Sequence, residues 1–555
     1  MRIRDYIWAI LVFVETFRNV HSQQPSCDSK IYCRGKLLAT VQLARIFPDS
    51  KTFVDMEMKY APEEVLKNFQ DLLDATKRKP KRKDIKKFVK ENFQPGNELE
   101  EWIAPDFNPN PPFLQMITVP KYRQFINDLV KLWSNFSRIM KPDVFEEPER
   151  YSIIPVPNGF VVPGGRFSEF YYWDSYWIIK GLLLSGMHET VRGMLENFLS
   201  MVDKYGFVPN GGRVYYLNRS QPPFLTLMVE QYIEATNNTE WLKEHFHLLE
   251  KELNYWLMTQ SVTFIYDDEI HTLAHYAVDS PSPRPESFVE DVLTCAPRNK
   301  KKNIENCYRD LKSGAETGWD FSSRWLFDED GSYAGNLTNI QTRRVIPVDL
   351  NSILTQAYRT FASFALALGE NDKASKWFYT YEIWKISIEK VLFNPTEGIW
   401  NDLDLLLLKH RTGFYPSNLT PLWSEIFHES GYGDLAVNYL KKKGILDFPG
   451  GIPTSLLHTG EQWDAPNAWP PLQSIVILGL KRSKDTSAIE VAKQLAEKWI
   501  DNNLLIFNRT GFMYEKYSAE SVGVIGGGGE YKIQTGFGWS NGVIFELVSE
   551  FFSMM

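Results

Sequence analysis

Ala374-Ser-Lys-Trp377-Phe378-Tyr-Thr-Tyr381-Glu-Ile-Trp384-Lys-Ile-Ser-Ile388-Glu-Lys-Val391 sets large apolar side chains three and four residues apart. An α-helix gathers those positions onto one face. Ile489, Ala492, Ala496 and Trp499 repeat the spacing. Pro62-Glu63-Glu64 opens another helix, with proline in the first turn and acids at the positive end of the dipole. Further helices are expected near 118–139, 174–186, 188–204, 226–259, 350–368, 422–443, 470–481 and 540–552. Strand-like alternation is scarce, and the eight β-branched runs of a (β/α) barrel are absent. Long segments rich in Gly, Pro and aromatics fall between the helices, at 155–173, 206–223, 277–324, 394–421, 445–469 and 504–539. Such long loops are functional or disordered, and these are not of low complexity. Alternating helices and elaborate loops predict an all-α toroid with its loops gathered at one end.

The 555 residues are 43% apolar and 23% charged, which excludes a largely disordered chain. The net charge of -8 argues against general binding to nucleic acid or anionic membrane. Aromatic residues make up 14%, and such planes serve either a helical core or the C–H faces of a sugar.

Arg2, Arg4 and the apolar run Tyr6 to Val14 have the form of a signal peptide, with cleavage expected near His21 to Gln24. No later run approaches 18 apolar residues, so a chain without a membrane span is expected. Cys27, Cys33, Cys295 and Cys307 allow three pairings. Proximity favours Cys27–Cys33 and Cys295–Cys307, the alternative being free buried thiols. The scattered histidines lack ligand spacing, so no metal site is expected. Sequons at Asn135, Asn237, Asn336, Asn418 and Asn508 fit a glycosylated secreted protein, while Asn218 falls in a crowded loop. The run Lys77-Arg-Lys-Pro-Lys-Arg-Lys83 reads as a solvated interhelix loop, with a polyanion patch as the alternative.

Six loop segments combine a carboxylate or arginine with an aromatic. They are Pro163-Gly-Gly-Arg166-Phe167-Ser-Glu-Phe-Tyr-Tyr-Trp173-Asp174-Ser-Tyr176; Val208-Pro-Asn210 with Asn218-Arg219-Ser220-Gln221; Pro283-Arg284-Pro285-Glu286-Ser287; Glu316-Thr-Gly318-Trp319-Asp320 through Arg324-Trp325; Gln462-Trp463-Asp464-Ala-Pro-Asn-Ala468-Trp469; and Met513-Tyr-Glu515-Lys516-Tyr517 with Gly526-Gly-Gly-Gly-Glu530-Tyr531. Sugars need this mixture, because ring faces stack on apolar planes while hydroxyls take paired polar contacts.

These motifs resemble the trehalases of glycoside hydrolase family 37, especially the secreted, soluble insect type. The resemblance runs from Phe47-Pro-Asp-Ser-Lys-Thr-Phe53 to the C-terminal part. The departures are Ala468 for the usual Gly, Pro470 for the following Ala, and Thr317 in Glu-Ser-Gly-Trp-Asp. The resemblance implies an (α/α)6 toroid that cleaves α,α-trehalose with inversion and uses no cofactor. It implies Asp320 as general acid and Glu515 as general base. It further implies a sugar pocket lined by Arg166, Phe167, Trp173, Asp174, Asn210, Arg219, Ser220, Gln221, Arg284, Pro285, Glu286, Gly318, Trp469 and Glu530.

The physical chemistry of inverting hydrolysis fits these residue types. One carboxyl protonates the bridging oxygen while the other activates water on the far face. Aromatic neighbours Trp319 and Phe321 would raise the Asp320 carboxyl, as an acid requires. Three arginines in a neutral-sugar pocket need acidic partners, and Asp174, Glu286 and Glu530 are the expected ones. The alternatives are an (α/α)6 α-glucan hydrolase and a non-catalytic sugar-binding protein on the same scaffold. The expected organisation is a leader over 1–23, a helical extension over 24–115 and a catalytic toroid over 116–555. The expected partner is trehalose alone, bound by a monomer outside the cell.

Overall fold

The computed structural model describes residues 27–298, 300–328, 331–333, 335–428 and 430–554. The leader expected over 1–23 lies outside the described residues. Helices α1 (Lys36–Leu43), α2 (Pro62–Ala75) and α3 (Arg82–Asn92) come first. Their apolar faces meet around Phe53, Val65, Phe69, Phe88 and Phe93, a small core that also takes in Tyr171, Tyr215 and Tyr216.

Six helix pairs follow. They are α4 (Pro120–Phe136) with α5 (Asp174–Leu184), α6 (His188–Tyr205) with α7 (Leu225–Thr236), and α8 (Thr239–Thr259) with, after α9 (Phe288–Cys295) and α10 (Lys301–Glu316), α11 (Val348–Ala367). The remaining pairs are α12 (Asn371–Leu392) with α13 (Thr420–Trp423), α14 (Tyr432–Lys442) with α15 (Pro470–Arg482), and α16 (Thr486–Thr510) with α17 (Gly538–Phe552). The second members touch one another in order, and α17 closes on α5, so α5, α7, α11, α13, α15 and α17 form a closed inner ring. The chain is an (α/α)6 toroid.

Burial explains which helix goes where. In α15 every residue from Pro470 to Leu480 is buried, whereas α12 buries Trp377, Tyr381, Trp384 and Ile388 on one side only. A helix enclosed all round belongs inside, and an amphipathic one belongs outside. Ring closure needs small residues: a Cβ on Gly542 of α17 would lie 1.9 Å from the Trp177 carbonyl of α5.

Several expectations are corrected. The stretch 226–259 is two helices, because Asn237 turns left-handed at φ 53°. The stretch 422–443 breaks between Trp423 and Tyr432, where Glu425 and Gly431 have positive φ. The segment 277–324 is no single loop, since it holds α9 and α10. The segment at 504 stays helical until Gly511 ends α16 at φ 75°. Ile489, expected on the buried face of α16, is exposed, and Ala488 takes the inward position.

Both disulfides favoured by proximity are formed, Cys27–Cys33 and Cys295–Cys307. The second joins the end of α9 to α10. Asn135, Asn237, Asn336 and Asn508 are exposed, but Asn418 is only 1% exposed. Its amide donates to the Trp400 carbonyl at 2.7 Å, so this sequon is closed to a glycan. Among the described residues no helix is long and apolar enough to cross a membrane.

Candidate active site

The segments that lead into inner helices α5, α7, α11, α15 and α17 converge on one cavity of about 680 Å³. Arg166, Phe167, Trp173, Asp174, Asn210, Arg219, Gln221, Arg284, Glu286, Gly318, Asp320, Trp469, Glu515 and Glu530 all line it. Ser220 and Pro285 do not. The Ser220 hydroxyl donates to the Val208 carbonyl at 2.6 Å, and its amide donates to Glu316 Oε1 at 2.8 Å. The Pro285 carbonyl accepts from Gln42 Nε2 at 2.9 Å. Both shape the loops that carry their neighbours.

Tryptophans build the floor. Trp463 and Trp469 stack with ring centroids 3.8 Å apart and 2° between planes, and Trp319 stacks on Trp463 at 5.4 Å. Trp173 packs against Trp463 and leaves room only for a glycine at 318, where a Cβ would lie 2.7 Å from its ring. Strand β1 (Asn467–Ala468) pairs antiparallel with β2 (Tyr517–Ser518), and Pro470 starts α15 immediately after, so Trp469 is fixed on both sides.

Each cavity arginine has a carboxylate partner. Arg166 Nη2 lies 2.7 Å from Asp49, Arg219 Nη2 lies 2.7 Å from Glu286, and Arg284 Nη2 bridges Asp291 at 2.6 Å and Glu530 at 3.0 Å. Glu286 and Glu530 are therefore partners as expected, but Asp174 forms no ion pair among the described residues. Asp49 and Asp291 serve instead. Pairing satisfies charges that burial would otherwise penalise. Burial alone would raise Glu286, but Arg219 and Arg284 outweigh it and hold its carboxyl below the usual range.

The two carboxyls at issue differ in surroundings. Asp320 keeps partial solvent contact through the cavity, yet the walls desolvate it enough to push its carboxyl up to about 7, with Arg284 pulling the other way. Glu515 is 1% exposed. Burial pushes it upward too, but Lys516 and the Tyr531 hydroxyl oppose the rise. Tyr531 donates to Glu515 Oε1 at 2.7 Å, while Oε2 is buried with no protein partner. A donor and an ammonium beside Glu515 favour its ionised form, whereas among the described residues no such hydroxyl donor serves Asp320. Asp174, the first residue of α5, is pushed well above the usual range by burial, with Glu515 and Asp320 adding to the effect.

Sequence reasoning left out Lys51, Tyr171, Tyr216, Ser287, Ala315, Trp463, Tyr531, Phe537 and Trp539, which also line the cavity. Trp463 and Tyr531 stood inside quoted motifs, next to residues chosen. Trp539 holds Glu515 from behind, donating Nε1–H to its carbonyl at 3.1 Å.

Comparison with known proteins gives a consistent picture. The family model for trehalase matches residues 45–552. A trehalase of Tenebrio molitor is 51% identical over 548 residues, covering 98% of this chain and 99% of its own length. A trehalase of Homo sapiens is 46% identical over 528 residues, covering 95% and 90%. Among solved structures, neutral trehalase Nth1 of Saccharomyces cerevisiae superposes with a TM-score of 0.57 at 22% identity, covering 70% of this chain and 73% of that one, which bears on the fold. The chain belongs to the trehalase family.

Proposed function

We propose that the chain hydrolyses α,α-trehalose to α- and β-D-glucose by a single displacement, with Asp320 as general acid and Glu515 as general base. The observation that carries this reading is the contrast between two carboxyls sharing one cavity. Asp320 is pushed up to about 7 and holds a proton to give. Glu515 accepts from Tyr531 and has one oxygen free for a water. Asp320 gives its proton to the bridging oxygen as the C1–O bond breaks. Glu515 takes a proton from the water that attacks C1 on the opposite face; solvent then takes that proton from Glu515 and reprotonates Asp320.

The remaining lining residues bind the sugars. Arg219 Nε and Nη1 and Glu286 Oε2 are buried without protein partners, and sugar hydroxyls satisfy them. Arg166, Arg284, Asn210, Gln221 and Glu530 add polar contacts. Asp174, whose carboxyl burial raises, adds a further polar contact for a hydroxyl. Phe167, Trp173 and Trp469 supply apolar faces. Gly318 gives Trp173 its room, while Ser220 and Pro285 act by holding the loops. A concave site lined by aromatic planes and paired charges suits a sugar ligand. Purified protein offered trehalose and maltose side by side should release glucose from trehalose. Comparable release from maltose would favour an α-glucan hydrolase, and release from neither a sugar-binding protein.

The same reading places residues 1–23 as a cleaved leader, 24–115 as an extension packed on the toroid and 116–555 as the catalytic unit. The mature protein acts outside the cell as a glycosylated monomer, with Asn135, Asn237, Asn336 and Asn508 as the open acceptors. Expression in animal cells should deliver it to the medium, beginning near residues 22–25. Retention in a carbonate-washed membrane pellet would overturn this.

A further inference from the structure

The run Lys77-Arg78-Lys79-Pro80-Lys81-Arg82-Lys83 joins α2 to α3 and takes no part in the sugar cavity. All six cations are exposed. Lys36, Arg78, Lys79 and Arg82 line a separate concavity of about 800 Å³ with Leu43, Leu73 and Ile85 in its wall.

Nothing in the described residues neutralises this charge. None of Lys36, Arg45, Lys77, Arg78, Lys79, Lys81, Arg82 and Lys83 belongs to an ion pair there. The acids that flank the run in sequence accept from neutral amides and pair with none of its cations among the described residues. Asp84 accepts from the Lys81 amide at 2.9 Å, and Asp74 accepts from Gln70 at 2.9 Å. Arg82 is fixed by the Ala44 and Arg45 carbonyls at 3.2 and 2.8 Å, which orders the run against α1. Lys77 and Arg78 also have φ of 50° and 60°, in the left-handed region where glycine or asparagine usually ends a helix. Cations stand here against both mutual repulsion and backbone preference, so fold stability does not explain them.

We propose that this concavity is an interaction surface for a sulfated polysaccharide, distinct from the substrate cavity. Guanidinium and ammonium groups match sulfate oxygens, and the apolar wall suits the C–H faces of a sugar chain. The choice of an extracellular polyanion rests on the secreted reading given above. A linear polymer also fits the charge distribution. The chain as a whole carries -8, so a flat anionic membrane would meet repulsion beyond the patch, whereas a strand touches the patch alone.

Heparin is the probe. At 0.15 M salt, roughly physiological ionic strength, the variant with Lys77, Arg78, Lys79 and Lys81 changed to Gln should bind heparin at least about tenfold more weakly than the native chain, with a shallower salt dependence. Its trehalose hydrolysis should be unchanged. A control with Lys67, Lys86, Lys87 and Lys90 changed to Gln loses the same charge and should bind like the native chain. In the unmutated protein, a heparin oligosaccharide should protect Lys79 and Lys81 from acetylation but not Lys86 or Lys87. Equal heparin binding by native chain and run variant, an equal loss in the control, or no protection of the run would overturn the proposal. So would undiminished binding to desulfated heparin, or tighter binding to phosphatidylserine vesicles or RNA than to heparin. The heparin measurements need no hydrolysis and no secretion, so their failure is separable from failure of either reading.

Discussion

Tyr531 donates its phenolic hydrogen to Glu515 Oε1 at 2.7 Å, linking the glycine-rich segment to the candidate base. The Arg166 guanidinium lies 4.7 Å and the Lys516 ammonium 5.6 Å from the same ring. A hydrogen bond to a carboxylate stabilises its charged form, so Tyr531 opposes the rise that burial imposes on Glu515.

Tyr531→Phe should therefore move the acid side of the pH profile. The base must be ionised, so activity is lost as pH falls through the Glu515 pKa. Removing the donor raises that pKa, and the acid limb of kcat/KM should shift to higher pH. A hydrogen bond to a charged group contributes about 1.5–3 kcal/mol, which corresponds to about one to two pH units. A rise in KM with an unmoved limb would make Tyr531 a wall residue only.

Asp320→Asn removes the proposed proton donor and Glu515→Gln the proposed water activator, each with little change in volume. Either should lower kcat by about 10²–10⁴-fold or more while thermal unfolding stays near native. In the native enzyme kcat/KM should fall as pH rises through about 7, because Asp320 acts only while protonated. Near-native activity in either variant would reassign the pair, with Asp174, Glu286 and Glu530 next to be tested.

The outer helices were legible because their buried side chains keep a 3.6-residue period over many turns, as Trp377, Tyr381, Trp384 and Ile388 do. Helix α10 carries the same signal at Ile304, Cys307, Leu311 and Ala315, but its charged residues and the prolines before it masked the period. The pocket residues were legible through long motifs and the resemblance they carry. Their electrostatic partners were not. Asp49 reaches Arg166 from 117 residues away, so no local pattern announces the pair. Asp174 looked like an arginine partner by composition, yet the fold buries it at a helix start beside two other carboxyls.

Cys295–Cys307 closes a short segment between α9 and α10, just upstream of Asp320. Changing both cysteines to serine frees that segment in the unfolded state and should destabilise by about 2–4 kcal/mol, visible as a lower Tm. Peptide mapping without reduction should recover the pair. Recovery of both as free thiols, or an unchanged Tm, would reject a stabilising role.

Stereochemistry tests the mechanism independently of any substitution. If Asp320 protonates the bridging oxygen while Glu515 directs water to the far face, a single displacement occurs and the attacked anomeric carbon inverts. Trehalose joins two α-glucoses. One product should therefore emerge as β-glucose, and the leaving glucose, whose anomeric carbon is untouched, should stay α. Proton NMR early in the reaction, before mutarotation, should show equal α and β signals. Glu515 has its Oε2 free of protein partners, as a carboxylate that binds a water requires. A retaining route would instead place a nucleophile about 5–5.5 Å from the acid and pass through a glycosyl-enzyme bond. It would release only α-glucose at first. That outcome would remove Glu515 as a water activator and require a carboxylate closer to Asp320 to take its place.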